Sequence, residues 1–161
     1  MTEAQAFERT SLRHALATLA YRGGKTLRDA TPAFANFRSD ETSRAPVQIL
    51  AHIGDLLEWA WWLSKGEPKW SNAEPLAWDD EVARFYALLA RFDALLASGD
   101  EIAAPLAALF QGPVADALTH VGQLAMLRRV AGEPMKGENY FKAEIVVGRV
   151  GPEQTPPKRV F

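Results

Sequence analysis

The sequence predicts an all-α protein: a four-helix bundle with crossover links and an extended C-terminal tail. Three observations lead there. Four segments repeat apolar residues at helical spacing, Gly and Pro mark their ends, and no run alternates apolar with polar residues as an array of strands would. Facing helices of a bundle bury their apolar stripes against one another and can build interior sites from inward side chains.

The first helix is expected from Glu3 to about Asp29. Thr2 with Gln5 three residues on is a capping-box pattern, and Leu12, Leu16 and Leu19 supply the apolar stripe. Gly23 and Gly24 each weaken a helix by about 1 kcal/mol relative to alanine, so either the helix bends there or tight packing requires small residues. Thr31 and Pro32 end the segment, and a connector carrying Phe34 and Phe37 follows. Pro46, at a first-turn position that tolerates proline, opens a second helix that stops at Gly66 with Pro68 beyond. The next loop holds Trp70, Pro75 and Trp78.

Asp79 or Asp80 is expected to cap a third helix reaching about Ala97, with Val82, Phe85, Leu88, Leu89, Phe92 and Leu96 as its stripe and Gly99 closing it. After a partly helical link over 101–112, Pro113 should start a fourth helix ending near Val130, before Gly132 and Pro134. The remaining residues should lie extended across the bundle, with Ile145, Val146, Val147 and Phe161 as anchors. The longer links after the first and third helices permit crossovers.

At 161 residues the chain fits one domain, 1–161, with enough length to bury a core unaided. Eighteen basic against twenty acidic residues give no broad footprint for nucleic acid, and no basic block suggests a membrane surface. A small-molecule substrate or protein contacts are the expected partners. With no cysteine, disulfides and a cysteine nucleophile are excluded, which fits a reducing cytoplasm. The first residues lack a signal-peptide pattern and no stretch is apolar and long enough to span a bilayer.

His120 is the most telling residue. Asp116 lies one turn before it and Gln123 three residues after, on a face expected to include Leu124, Leu127 and Val130. Positions four apart project to one side of a helix roughly 6 Å apart, close enough to grip one ion. In the second helix His52 projects with Ile49, Leu56, Trp59 and Leu63, so it too belongs to an apolar stripe. His52, Asp116 and His120 therefore form a candidate metal set of two imidazoles and one carboxylate, with coordination positions left for water or substrate. The same residues fit a plainer arrangement, a core histidine hydrogen-bonded to a neighbour and an Asp116 placed at the positive end of its helix.

These residues resemble the DinB superfamily, metal-binding four-helix proteins that include bacillithiol S-transferases and mycothiol-dependent maleylpyruvate isomerase. The likeness covers nearly the whole chain and rests on LAHIGDLLEWA in the second helix, ALTHVGQLAMLRR in the fourth, and the order of helices and links. It implies a metal ligand at His52, another at His120 followed by a similar Gly122–Gln123 run, and a third at Asp116, where the family usually carries histidine. It also implies a divalent ion, zinc or nickel foremost with iron or manganese as alternatives, and a low-molecular-weight thiol cosubstrate for a transferase or isomerase reaction on a small electrophile. Because the chain has no cysteine, such a thiol must come from outside.

Other residues carry competing expectations. Asp55 is a candidate acceptor orienting an imidazole, whereas Glu58 is expected in solvent. Gln123 either binds substrate or satisfies a buried backbone group. Trp59, Trp61 and Trp62 cannot share one face, so one should pack in the core and another at the surface or at a homodimer contact. Arg128 and Arg129 suit the negative end of the helix dipole, with a grip on a cosubstrate carboxylate as the rival role. His14 should be exposed. Glu138, Asn139 and Tyr140 are candidates to fold over the pocket mouth. A noncatalytic metal-binding helical protein acting through dimer or partner contacts is the alternative class. A metalloprotease is disfavoured by the absence of HExxH, and a di-iron bundle by the absence of repeated Glu-x-x-His.

Overall fold

A computed structural model describes residues 2–161. The elements are α1 (Glu3–Leu27), α2 (Pro32–Ala35), α3 (Pro46–Ser64), α4 (Trp78–Ala97), α5 (Leu106–Leu109) and α6 (Ala115–Val130). A π-helical turn, Phe110–Val114, joins α5 to α6, and a 3-10 turn spans Tyr140–Lys142. Among the described residues there is no strand, only an isolated bridge between Glu138 and Val160.

The four long helices pack cyclically in the order α1, α4, α3, α6, so both crossovers are diagonal: α1 to α3 through α2, and α4 to α6 through the 98–105 link and α5. Contacts set the directions. Arg9 reaches the Leu96 carbonyl while Gly23 faces Phe85, which makes α1 and α4 antiparallel. Arg84 meets Ala51 and Arg91 meets Trp61, so α3 and α4 are parallel. Gly23 lies near Val121 and Thr26 near Arg128, so α1 and α6 are also parallel. Hence α3 and α6, whose seam carries the candidate site, run antiparallel.

Leu16, Leu19, Ile53, Leu57, Leu89, Phe92, Leu109 and Val114 are fully buried within one shared core. α1 continues unbroken through its glycine pair, where packing requires small residues: a Cβ at Gly23 would stand 2.8 Å from the Phe85 ring, and one at Gly24 2.7 Å from the Tyr86 hydroxyl. The Thr2–Gln5 capping box forms as expected. Thr31 does more than end α1, since its hydroxyl caps α2 by accepting the Phe34 N–H. Left-handed glycines at Gly66, Gly99 and Gly132 follow the ends of α3, α4 and α6.

Two expectations are corrected. α4 begins at Trp78 with Ala77 as its cap residue, and neither Asp79 nor Asp80 caps it; Glu81 instead reaches back to accept the Leu76 N–H. Helical structure preceding α6 starts at Leu106, with Pro113 inside the π turn. Proline lacks an N–H and crowds the preceding turn, and a wider turn relieves both problems.

In the tail, Ile145 is half-buried while Val146, Val147 and Phe161 remain exposed, and the buried anchors are Val150 and Glu138. Glu138 accepts hydrogen bonds from the Tyr21 hydroxyl at 2.6 Å and Lys25 Nζ at 2.7 Å, and Tyr140 packs edge-on against Tyr21 beneath the Arg22 guanidinium. Burial, then this bond, pushes the Tyr21 phenol above its usual range. Gly148 rests beside Arg13 and Asp93 in the α1–α4 seam. That seam lies opposite α3–α6, so Glu138, Asn139 and Tyr140 do not cover the candidate site.

Candidate metal centre

His52 sits in the second turn of α3, where burial of Ile49, Ile53, Leu56 and Leu57 fixes the helix's rotation and leaves position 52 at the edge of the core, facing α6. On α6 the buried stripe is Ala117, Val121, Leu124 and Arg128. Asp116 and His120 therefore stand one step around the helix from the core, on its flank toward α3, and Val130 is exposed rather than part of that face. The flank position explains their burial: the His120 side chain is 12% exposed, that of His52 22% and that of Asp116 48%. The π turn ends at Val114, two residues before Asp116, at a type of helical irregularity that often marks functional sites.

The two helices bring the three predicted residues together. Each offers a ligand atom, and these atoms lie within 4.8 Å of one another. Asp116 is between the imidazoles: its Oδ2 is 3.9 Å from His52 Nε2 and its Oδ1 3.5 Å from His120 Nε2. The imidazoles stand nearly perpendicular, with centroids 4.7 Å apart. Donors around a tetrahedral ion with bonds of roughly 2.1 Å are about 3.4 Å apart, so the set needs only a modest contraction to close on a cation. Two borderline nitrogens and one carboxylate oxygen suit zinc, nickel or another first-row divalent ion.

Burial, then the neighbouring His120 and the cation of Arg44, push the His52 pKa below its ordinary value, while Asp116 and Asp55 oppose them. A lowered pKa keeps the imidazole neutral and able to donate its lone pair near neutral pH. His120 is held differently. Its Nδ1–H donates to Gln123 Oε1 at 2.7 Å, which leaves Nε2, the nitrogen facing Asp116, with its lone pair free. Gln123 thus neither caps a buried backbone group nor points away from the site. The i, i+3 spacing on a helix was the signal for this contact.

The role considered for Asp55 belongs elsewhere. Its carboxylate is buried, takes Arg84 Nη2 at 2.6 Å and accepts the Ala73 N–H at 3.1 Å. Glu58 is only half-exposed, because Ser71 donates to it and Arg84 lies 3.8 Å away. Together they fasten the 67–77 link, which runs back along α3 and delivers Trp70 to the site. Trp70 packs edge-to-face against both His52, at 5.8 Å, and Trp59, at 5.6 Å. Sequence reasoning left Trp70 in a loop, where no periodicity points to a partner.

Trp61 and Trp62 pack on each other, with Arg91 over the first and Lys69 over the second. All three tryptophans of α3 are half-buried, so the expected split between core and surface is softened. Arg128 is taken up within the fold rather than offered to a cosubstrate carboxylate, because its buried guanidinium donates to the carbonyls of Thr26, Arg28, Asp29 and Glu133, lies 3.7 Å from the Glu133 carboxylate and ties the end of α1 to α6. Arg129 and His14 are exposed.

A cleft of about 520 Å³ opens beside the triad, lined by His52, Leu56, Trp59, Pro68, Trp70 and Asp116. A larger one, about 600 Å³, lies between α1 and the 99–106 link, but it holds no histidine and its Arg9 is occupied by the carbonyls of Leu96 and Asp100. Volume alone does not mark the chemistry; the convergence of donors does. No protein-family model, curated protein or solved structure matches the chain.

Proposed function

We propose that the chain, acting as one DinB-like domain, is a divalent-metal-dependent protein that uses a low-molecular-weight thiol cosubstrate on a small electrophile. The observation that carries this reading is the meeting of His52, Asp116 and His120, from two helices, beside an open cleft. Three protein donors leave coordination positions on the cleft side, the pattern of catalytic rather than structural sites. A divalent ion there supplies Lewis acidity, lowering the pKa of a thiol or water.

The chain's own residues prepare that chemistry. Gln123 fixes the His120 tautomer, burial keeps His52 neutral, and Asp116 offsets one unit of the ion's charge. Trp59 and Trp70 give the cleft an apolar lining. In an S-transfer the cosubstrate loses its S–H proton to solvent, its sulfur forms a bond to the electrophilic carbon, and the leaving group departs with the electron pair of the broken bond. Among the described residues no helix is long and apolar enough to cross a membrane.

Elemental analysis of protein purified without a metal-affinity tag tests the reading. One zinc or nickel per chain is expected in the wild type, with loss in His52→Ala and His120→Ala at unchanged helicity. Metal content unchanged in both variants would remove the site.

A further inference from the structure

Trp70 is 43% exposed, an unusual position for an indole that the core does not need. It is nevertheless held from several sides. Its own Nε1–H donates to Asn72 Oδ1 at 3.1 Å, the preceding Lys69 lies over Trp62, Ser71 donates to Glu58, and Ala73 is tied to Asp55. The ring touches the side of His52 and stands at 88° to Trp59, so the two indoles form an upright corner, with Pro68 and Leu56 extending the apolar surface. The polar part of the cleft lining is His52, against the Trp70 ring, and Asp116. A divalent ion carrying one carboxylate ligand and two neutral imidazoles retains one net positive charge, which favours an anionic donor from the ligand.

We infer that this cleft takes a planar aromatic or conjugated small molecule bearing an anionic oxygen or sulfur donor, its ring against Trp70 and Trp59 and its donor toward His52, Asp116 and His120. The inference deepens the metal-dependent reading and rests on it for the donor end, whereas the aromatic corner stands on its own geometry. The cleft volume falls within the range of small-molecule sites and exceeds what a single ring fills, leaving space for a second reactant. An aliphatic ring of the same size would fill space but lack the flat face that offset stacking requires.

Benzoate and cyclohexanecarboxylate separate these features, since both present a carboxylate and only one has a flat π face. Calorimetric titration of each into zinc-loaded protein, with zinc content measured in parallel, should show the wild type binding benzoate several-fold more tightly. Trp70→Ala should weaken benzoate about tenfold and abolish the preference while zinc content and helicity hold, and Trp70→Phe should restore much of it. Equal affinity for the two acids in the wild type, or benzoate binding unmoved by Trp70→Ala, overturns the inference. Failure of the underlying metal reading shows separately, as absence of zinc from the wild type. In that case the same comparison with metal-free protein decides the aromatic corner: a preference for benzoate that Trp70→Ala removes sustains it, and no preference ends it.

Discussion

Replacing Gln123 with leucine should weaken metal binding without unfolding the protein. The side chain is exposed on α6 and accepts the 2.7 Å bond from His120 Nδ1–H, so the substitution removes one acceptor and little else. A typical net hydrogen bond is worth about 0.5–1.5 kcal/mol, and partners that orient metal-binding histidines commonly contribute 10- to 100-fold in affinity. Because the acceptor is exposed, water replaces part of it, which places the loss at the lower end, about tenfold. Leucine also frees the imidazole to rotate and to populate the tautomer whose Nε2 carries the proton and cannot ligate. Gln123→Glu keeps the acceptor, strengthens it with charge and should tighten binding several-fold. Competitive titration of Zn²⁺ against a chelating dye at pH 7.5 gives the affinities, and thermal melts of metal-stripped protein check the fold. A leucine variant with wild-type affinity, beside a His120→Ala variant that has lost binding, would refute the claim that Gln123 sets the donor atom.

Arg84→Met should destabilise the fold by about 3–5 kcal/mol in urea titrations, because it leaves the buried carboxylates of Asp55 and Glu81 without their shared cation; a change under 1 kcal/mol would count against that pairing. Gly23→Ala should destabilise by about 1–3 kcal/mol despite alanine's better helix propensity, since the new methyl meets the immobile Phe85 ring; a stabilised variant in the same urea assay would show that the α1–α4 seam yields. The His52 pKa is lowered in the folded chain, so the unfolded chain takes up that proton first as pH falls. His52 therefore contributes stability that is fully present above its unfolded value of about 6.5 and is lost as pH falls from there through the folded value. Metal-stripped wild type should lose stability across that interval more steeply than His52→Gln in parallel melts, and equal slopes would place the acid sensitivity elsewhere.

What could be read from the sequence and what could not divide along one physical line: local period against long-range contact. Helix existence follows from repeat spacing, and the Thr2–Gln5 box and the glycines that follow α3, α4 and α6 are settled within a few residues of chain, so these elements matched. The meeting of Asp116 with His120 is equally local, one turn apart on α6. Its joining to His52 was legible because the histidines interrupt apolar stripes that a bundle must turn inward, although the stripe of α6 is rotated one step from the face that included Val130. The missed features answer to partners distant in sequence. Nothing near Asp55 announces that Arg84 will claim it, nothing near Arg128 announces the carbonyls at the end of α1, and Glu138 becomes an anchor only because Tyr21 and Lys25 receive it. Pro113 misled for a related reason, since tertiary packing of Leu109 and Val114 sustains a wide turn where local preference favours a helix start. Trp70 shows the consequence at the candidate site: its loop has no period, and the carboxylates of Asp55 and Glu58 on α3, with Lys69 over Trp62, bring the indole back to His52. The candidate metal ligands are thus encoded by helical spacing and the cleft beside them by salt bridges and loop anchoring, so disrupting Asp55 should loosen the cleft before it disperses the three donors.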